Sequence, residues 1–323
     1  MDEAEATHIT HRGRFLTIAC ISGQIRYNQL FMLIRAILRK LPLPAKHKIK
    51  RAMSRIPFSA KWLLGTKGTR LPDVYILSYP KCGRTWLRLM LGKALVLHFG
   101  LDSINPLQID EMASTNARIP TIKFTHDDQP NLKNPAELSA SKAEYKGKKV
   151  IFLIRDVRDV VVSYYFELTR RQTVNPHYPP YQGNMSSFLR HDQGSVDTII
   201  RYYNLWAENR HVPAAFLLIR YEDMVENAEQ ELCKVLNFLG LPEVQAETIH
   251  QAVESAHFDN MRKLEESGEL DSFRLQPGDK KDPESYKTRR GKVQGFVDYL
   301  SEDDIEYLNQ KIKTQLSDYY RYE

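Results

Sequence analysis

Eighteen residues, Val74 to Leu91 (VYILSYPKCGRTWLRLML), constrain this chain more than any other stretch. The run Val74-Tyr75-Ile76-Leu77 is apolar, β-branched and aromatic, as in a strand covered on both faces. Pro80 and Gly83 interrupt it, and from Thr85 the pattern turns helical, with Trp86, Leu87, Met90 and Leu91 on one face. Strand, tight loop and helix with Lys81 in the loop make an anion site. The first helical N–H groups point at the ligand, the dipole favours negative charge, and the ammonium adds a full positive charge. This is not a Walker A loop, which places Lys-Ser/Thr after a second Gly; here Lys81 precedes Gly83. The competing reading is a strand-to-helix turn with a solvated lysine and a core tryptophan.

The rest of the chain repeats the alternation. Thr121–Thr125 reads as a second strand ending at His126-Asp127-Asp128, and Lys148–Ile154 as a third ending at Arg155. Ala214–Ile219 reads as a fourth, leading into Arg220-Tyr221-Glu222-Asp223. Helices are expected from an Asp156 N-cap to about Arg171, at about 185–191 and 196–210, in three stretches between 227 and 268, and after the capping box at Ser301–Asp304. Residues 102–118 read as irregular, 175–183 with three prolines as loop, and 269–295 as a charged surface loop or lid. Strands alternating with helices predict an α/β fold, a doubly wound parallel sheet of about four to five strands flanked by helices. Its site lies at the carboxyl ends of the strands. Lys81, His126, Arg155 and Tyr221 each follow one strand, so the topology brings a lysine, an imidazole, a guanidinium and a phenol to one edge.

Arg155 and Ser163 stand eight residues apart, about two helical turns, which puts both on one side of a helix. Arginine suits bidentate phosphate binding and a hydroxyl adds a neutral donor. The alternative is an arginine paired with Asp156 or Asp159 at a helix start. His126 is of the residue type that accepts a proton near neutral pH, and the neighbouring Asp127 and Asp128 would raise its pKa or recognise a cationic acceptor.

Two segments, Y-P-K-x-G-x-T-W-L (79–87) and I-R-D-V-R-D-V-V-V-S-Y-Y (154–165), resemble the sulfotransferases that use 3′-phosphoadenosine 5′-phosphosulfate (PAPS). The nearest branch is the cytosolic small-molecule type, here in a bacterial-like variant, over residues 72–310. The resemblance implies a P-loop nucleotide-kinase-like fold and transfer of a sulfuryl group to a hydroxyl, or an amine, of a small-molecule acceptor, leaving adenosine 3′,5′-bisphosphate (PAP). It implies catalytic roles for Lys81, His126 and Ser163: leaving-group neutralisation, general base, and a hold on Lys81 until the acceptor binds. The 5′-phosphosulfate would lie on Lys81, Cys82, Gly83, Arg84 and Thr85, the 3′-phosphate on Arg155, Ser163, Arg289, Arg290 and Gly291, and adenine among Trp86, Tyr221 and Phe258. No metal is implied. Departures are Cys82 where the family usually has Ser, Arg84 where it often has Thr, and GKVQGFVDY after Arg290, with one extra residue between the glycines and Phe296 for Trp. The family's dimer motif is not evident, and the oligomeric state stays open. Competing readings are an ATP-dependent small-molecule kinase on a related fold and a noncatalytic membrane-peripheral binding protein.

Charge distribution bears on the last of these. Residues 1–70 hold 14 Lys and Arg against three acidic residues, a net +11, whereas the remainder is at −5. The expected organisation is a basic helical N-terminal arm over 1–70 and a sulfotransferase catalytic domain over 71–323. The arm is interrupted by charges before any run reaches the roughly 18 apolar residues of a membrane span, so it would lie on an anionic membrane or pack as helices. No nucleic-acid partner is expected. The acidic start MDEAEA lacks the positive region of a signal peptide, and Cys20, Cys82 and Cys233 are scattered and odd in number. Both features point to a reducing, cytoplasmic location.

Overall fold

The computed structural model describes residues 71–171, 181–270 and 272–322, together with a two-residue antiparallel pairing of Thr10–His11 with Arg14–Phe15. The chain divides into two units, Met1–Thr69 and Arg70–Glu323. The helical reading of the arm lies outside the described residues, as do His177 and Tyr178 of the proline-rich loop.

In the second unit, four strands form one parallel sheet: β1 (Val74–Ser78), β2 (Ile122–Thr125), β3 (Lys149–Ile154) and β4 (Ala215–Arg220), in spatial order β2-β1-β3-β4. Val74 pairs with Ile122 on one side and Lys149 on the other, and Ser78 ends the sheet beside Leu153. The chain steps from β1 outward to β2, returns past β1 to β3, and continues outward to β4. Right-handed crossovers therefore place helices on both faces and open a crevice between the carboxyl ends of β1 and β3. The loop after β1 carries Lys81, and Arg155 follows β3 directly. Ile76, Leu77, Val150, Ile151, Phe152 and Leu153 are fully buried, which explains their unbroken apolar runs.

The helices are α1 (Arg84–Phe99), α2 (Ile109–Thr115), α3 (Val157–Arg170), α4 (Met185–Leu189), α5 (Val196–Asn209), α6 (Tyr221–Glu226), α7 (Ala228–Leu239), α8 (Ala246–Ser255), α9 (Phe258–Ser267) and α10 (Glu302–Gln315). Asp156 caps α3 by accepting the Arg158 N–H, and Ser301 caps α10 by accepting that of Asp304. Two short helices depart from the sequence reading. Helix α2 lies in the stretch read as irregular, buried through Ile109 and Met112 alone, three residues apart. Helix α6 continues straight from β4, so Tyr221 sits at a helix start rather than in a loop.

The segment after α9 is ordered by specific bonds. Buried Glu265 accepts from the backbone N–H groups of Lys287 (2.5 Å) and Thr288 (2.8 Å). Asp159 of α3 accepts from those of Gln294 and Phe296, each at 3.0 Å.

Candidate active site

A cleft of about 410 Å³ lies outside the carboxyl ends of β1 and β3. Its floor is the loop 79–83 and the first turn of α1. Gly83 precedes the helix with φ +90°, and a Cβ there would stand 2.6 Å from Cδ2 of Tyr221. Glycine is therefore required twice, by backbone conformation and by the close approach of an aromatic ring. Lys81 also has positive φ (78°). Its Nζ donates to Oε2 of Glu167 on α3 at 2.6 Å, and both side chains are nearly buried. The same oxygen receives Arg171 Nη1 at 2.7 Å and faces Lys287 Nζ at 4.0 Å. Burial works against the Glu167 carboxylate, but Lys81, Lys287 and Arg171 together hold its pKa well below the usual range. Burial lowers the pKa of Lys81, and the Glu167 charge opposes that shift only in part.

His126 forms the wall beside this cluster. Its Nδ1 lies 2.8 Å from the carbonyl of Ser78, which can only accept, so Nδ1 carries the proton. Its Nε2 lies 2.6 Å from Nη2 of Arg84, which can only donate, so Nε2 presents its lone pair. The two contacts fix a neutral imidazole in one tautomer. Burial first, and the Arg84 charge second, push its pKa well below 6.5.

The neighbouring carboxylates, expected from sequence to act on His126, have other partners. Asp127 turns into the core, where it accepts from Lys142 Nζ (2.6 Å), Tyr145 Oη (2.8 Å) and Trp206 Nε1 (3.0 Å). Asp128 is exposed and paired with Lys133. Neither raises the pKa of His126, and neither offers a charge to a cationic acceptor in the cleft.

The other end is built around Arg155. Its guanidinium lies 4.2 Å from the Tyr221 ring centroid, 3.3 Å from Asp159 Oδ2, and donates to the Lys292 carbonyl at 3.0 Å. Of the two pairings weighed from sequence, Asp159 is the partner; Asp156 instead binds Arg158. Trp86 meets Tyr221 edge-on at 5.7 Å. Phe258 lines the same cleft, and a Cβ on Gly291 (φ +64°) would stand 2.6 Å from its Cδ2. Arg289 lies 4.4 Å over the Phe166 ring and pairs with Glu284 at 3.0 Å, while Arg290 faces Glu284 and Asp298 at 3.5 Å.

Lys81, Gly83, Arg84, Thr85, Trp86, His126, Arg155, Ser163, Tyr221, Phe258, Arg289, Arg290 and Gly291 thus line one cleft. Cys82 does not. Its thiol is fully buried 3.2 Å from Tyr203 Oη, and burial pushes its pKa up to about 12. That hydroxyl also donates to the carbonyl of Arg155 (2.9 Å) and accepts its N–H (3.1 Å). Tyr203 therefore ties the loop after β1 to the end of β3, and a serine hydroxyl in place of the thiol could make the same contact. Glu167, not Ser163, holds Lys81. Its sequence signal was its place four residues beyond Ser163, one turn along the same helical face.

The aromatic residues of α3 and of the segment before α4 pack within the domain. Tyr164 is buried and receives Asn131 Nδ2 at 2.8 Å, Phe166 packs on Tyr299, and Tyr165 and Tyr181 pack with Phe188. Among the described residues no three His, Cys, Asp or Glu side chains gather as metal ligands.

The cleft's chemistry suits an adenosine bisphosphate. Cations and a helix N-terminus offer anion contacts, aromatic rings offer a base platform, and two glycines leave room that a Cβ would fill. Comparison with known proteins agrees in kind. The family model described as Sulfotransferase domain matches residues 71–320. Flavonol 3-sulfotransferase of Flaveria bidentis is 24% identical over 262 residues, covering 76% of this chain and 81% of that protein. Sulfotransferase 1A1 of Rattus norvegicus is 29% identical over 213 residues, 59% of this chain and 67% of its own length. The crystal structure of mouse sulfotransferase SULT7A1 complexed with PAP superposes with a TM-score of 0.50 at 21% identity, covering 77% of this chain and 87% of that one.

Proposed function

The chain belongs to the sulfotransferase domain family, whose chemistry is PAPS-dependent sulfuryl transfer, and we propose that it sulfates a hydroxyl, or an amine, of a small molecule with His126 as general base. The observation that carries this reading is the fixed tautomer of His126, which lines the cleft beside Lys81 with Nδ1 protonated and Nε2 the accepting nitrogen, held by Arg84. Bound PAPS supplies the sulfuryl group, and its bond to the 5′-phosphate oxygen breaks, with the electron pair left on that oxygen, as the acceptor oxygen attacks sulfur. His126 Nε2 takes the acceptor's proton. Lys81 neutralises the charge that collects on the 5′-phosphate, having exchanged Glu167 for it. The backbone N–H groups of the first turn of α1 and the Thr85 hydroxyl hold the 5′-phosphate. Arg155, with Ser163 and the 289–291 turn, holds the 3′-phosphate. Trp86, Tyr221 and Phe258 flank the base.

Several supports converge on these roles. The relatives are sulfotransferases, one of them acting by name on flavonols, and the mouse structure contains PAP. The kinase and noncatalytic readings are not favoured beside the domain match. A cytoplasmic location fits the scattered cysteines, and among the described residues no helix is long and apolar enough to cross a membrane. Contact of the basic arm with an anionic membrane surface is supported by its charge of +11 alone.

The test is PAP release from PAPS in the presence of phenolic and alcoholic acceptors, for the wild type and for Lys81→Ala. An acceptor-dependent signal that falls at least ~100-fold in Lys81→Ala is expected, the scale of losing one preorganised charge contact at the leaving group. Near-normal turnover of the variant would refute the role of Lys81.

A further inference from the structure

Arg84 and His126 stand in each other's way. An acceptor hydroxyl must give its proton to Nε2 of His126, because Nδ1 already donates to Ser78. That single lone pair is taken by Arg84 Nη2 at 2.6 Å. We propose that Arg84 is a positioning residue that holds Nε2 in the donor-free protein and gives it up to the 5′-phosphosulfate, so that the base is released only after the donor binds. The inference rests on the PAPS reading and adds to it a binding order set by this chain's own arginine.

The position of Arg84 makes the exchange simple. It is the first residue of α1, directly after Gly83, so its backbone N–H belongs to the orphan donors at the anion site while its side chain reaches the imidazole. A guanidinium makes shorter and stronger paired hydrogen bonds to phosphate or sulfate oxygens than to a neutral nitrogen. It can rotate toward them without moving the helix. The charges facing His126 favour the same sequence of events. Arg84 comes from α1, Lys287 from the segment after α9 and Glu167 from α3, with the Ser78 carbonyl from β1. Two cations against one carboxylate disfavour an imidazolium. An anion placed among them, with Arg84 drawn onto it, reverses that balance at the moment when His126 must accept a proton. Glu167 and Lys81 present the same logic in a second pair, since Lys81 too is held by a protein partner that the donor replaces.

The test is a pH titration of the His126 ring by NMR on the full chain labelled at histidine, with the resonance assigned by its absence in His126→Gln. It is run on the wild type with and without PAP, and on Arg84→Met and Arg84→Thr without nucleotide. Calorimetry of PAP binding is run beside it on the wild type. Without nucleotide the wild-type ring is expected to stay neutral, with the proton on Nδ1, to the lowest pH at which the protein is folded. Its midpoint should move up by about one pH unit or more when PAP binds, and similarly when Arg84 loses its charge in either variant. A titration unmoved in a folded Arg84 variant overturns the hold. A titration unmoved by PAP that calorimetry shows to be bound overturns the release. If PAP does not bind the wild type, the PAPS reading and the release fail together, while the Arg84 variants still decide the hold.

Discussion

Lys81 is paired with Glu167 at 2.6 Å, and its proposed role in transfer can be separated from its role in the fold. Breaking a buried pair usually costs about 3–5 kcal/mol because an unpaired charge is left behind. Glu167 would keep Arg171 at 2.7 Å and Lys287 at 4.0 Å, so Lys81→Ala should lose no more than about 1–2 kcal/mol by urea unfolding while losing turnover. A larger loss of stability would mean that Lys81 serves mainly as a structural counter-ion. Lys81, Arg155 and Tyr221 were legible in the sequence because each follows a strand. His126 was legible for the same reason, but its electrostatics were not. Asp127 adjoins it in sequence yet turns to Lys142, while Arg84, 42 residues away, touches it. Glu167 signalled only through its place one turn beyond Ser163, and Glu265 and Tyr203 left no local signal, because each acts through a partner distant in the chain.

At the scale of elements, α3 and the residues leading into it carry two side chains proposed to hold the 3′-phosphate and the anchor of the 294–296 turn. Arg155 precedes the helix, Ser163 and Glu167 lie along one face, and Asp159 holds the turn at 294–296 by two backbone N–H groups. Asp159→Ala should speed hydrogen exchange of the Gln294 and Phe296 amides by about 10-fold or more, the effect of losing roughly 1.5 kcal/mol or more of charge-assisted bonding. Exchange at the β3 amides should be unchanged. Equal acceleration in both places would indicate global destabilisation instead of a released tether. Strands β1, β3 and β4 were readable because they write continuous apolar runs, whereas β2 (IKFT) carries an exposed Lys123 between its apolar residues. Helices α2 and α6 were not, since a seven-residue helix with two buried side chains and a six-residue one continuing from a strand leave little periodic pattern.

Across the whole molecule, two groups make stability depend on acid in the same direction. His126 has its folded pKa lowered, so below about pH 6.5 the unfolded chain binds a proton that the folded one does not, and stability falls. Glu167 has a depressed folded pKa, so its contribution is present above the unfolded carboxylate range and is lost as pH falls through the folded value. The melting temperature should therefore decline on going from pH 7.5 to 5, and His126→Gln should flatten the part of that decline between pH 6.5 and 5. An unchanged slope in the variant would show that His126 is not held neutral.

On the proposed reading, the cleft between β1 and β3 recognises an adenosine carrying phosphates at both the 3′ and 5′ positions. Calorimetric titration with PAP, ATP and ADP on the wild type and on Arg155→Ala tests it most directly. Binding of PAP in preference to ATP and ADP is expected, weakened roughly 10- to 100-fold by Arg155→Ala, the loss of charge-assisted bonds worth about 1.5–3 kcal/mol. Preference for ATP, or equal PAP affinity in the variant, would contradict the assignment of Arg155 and of the cleft.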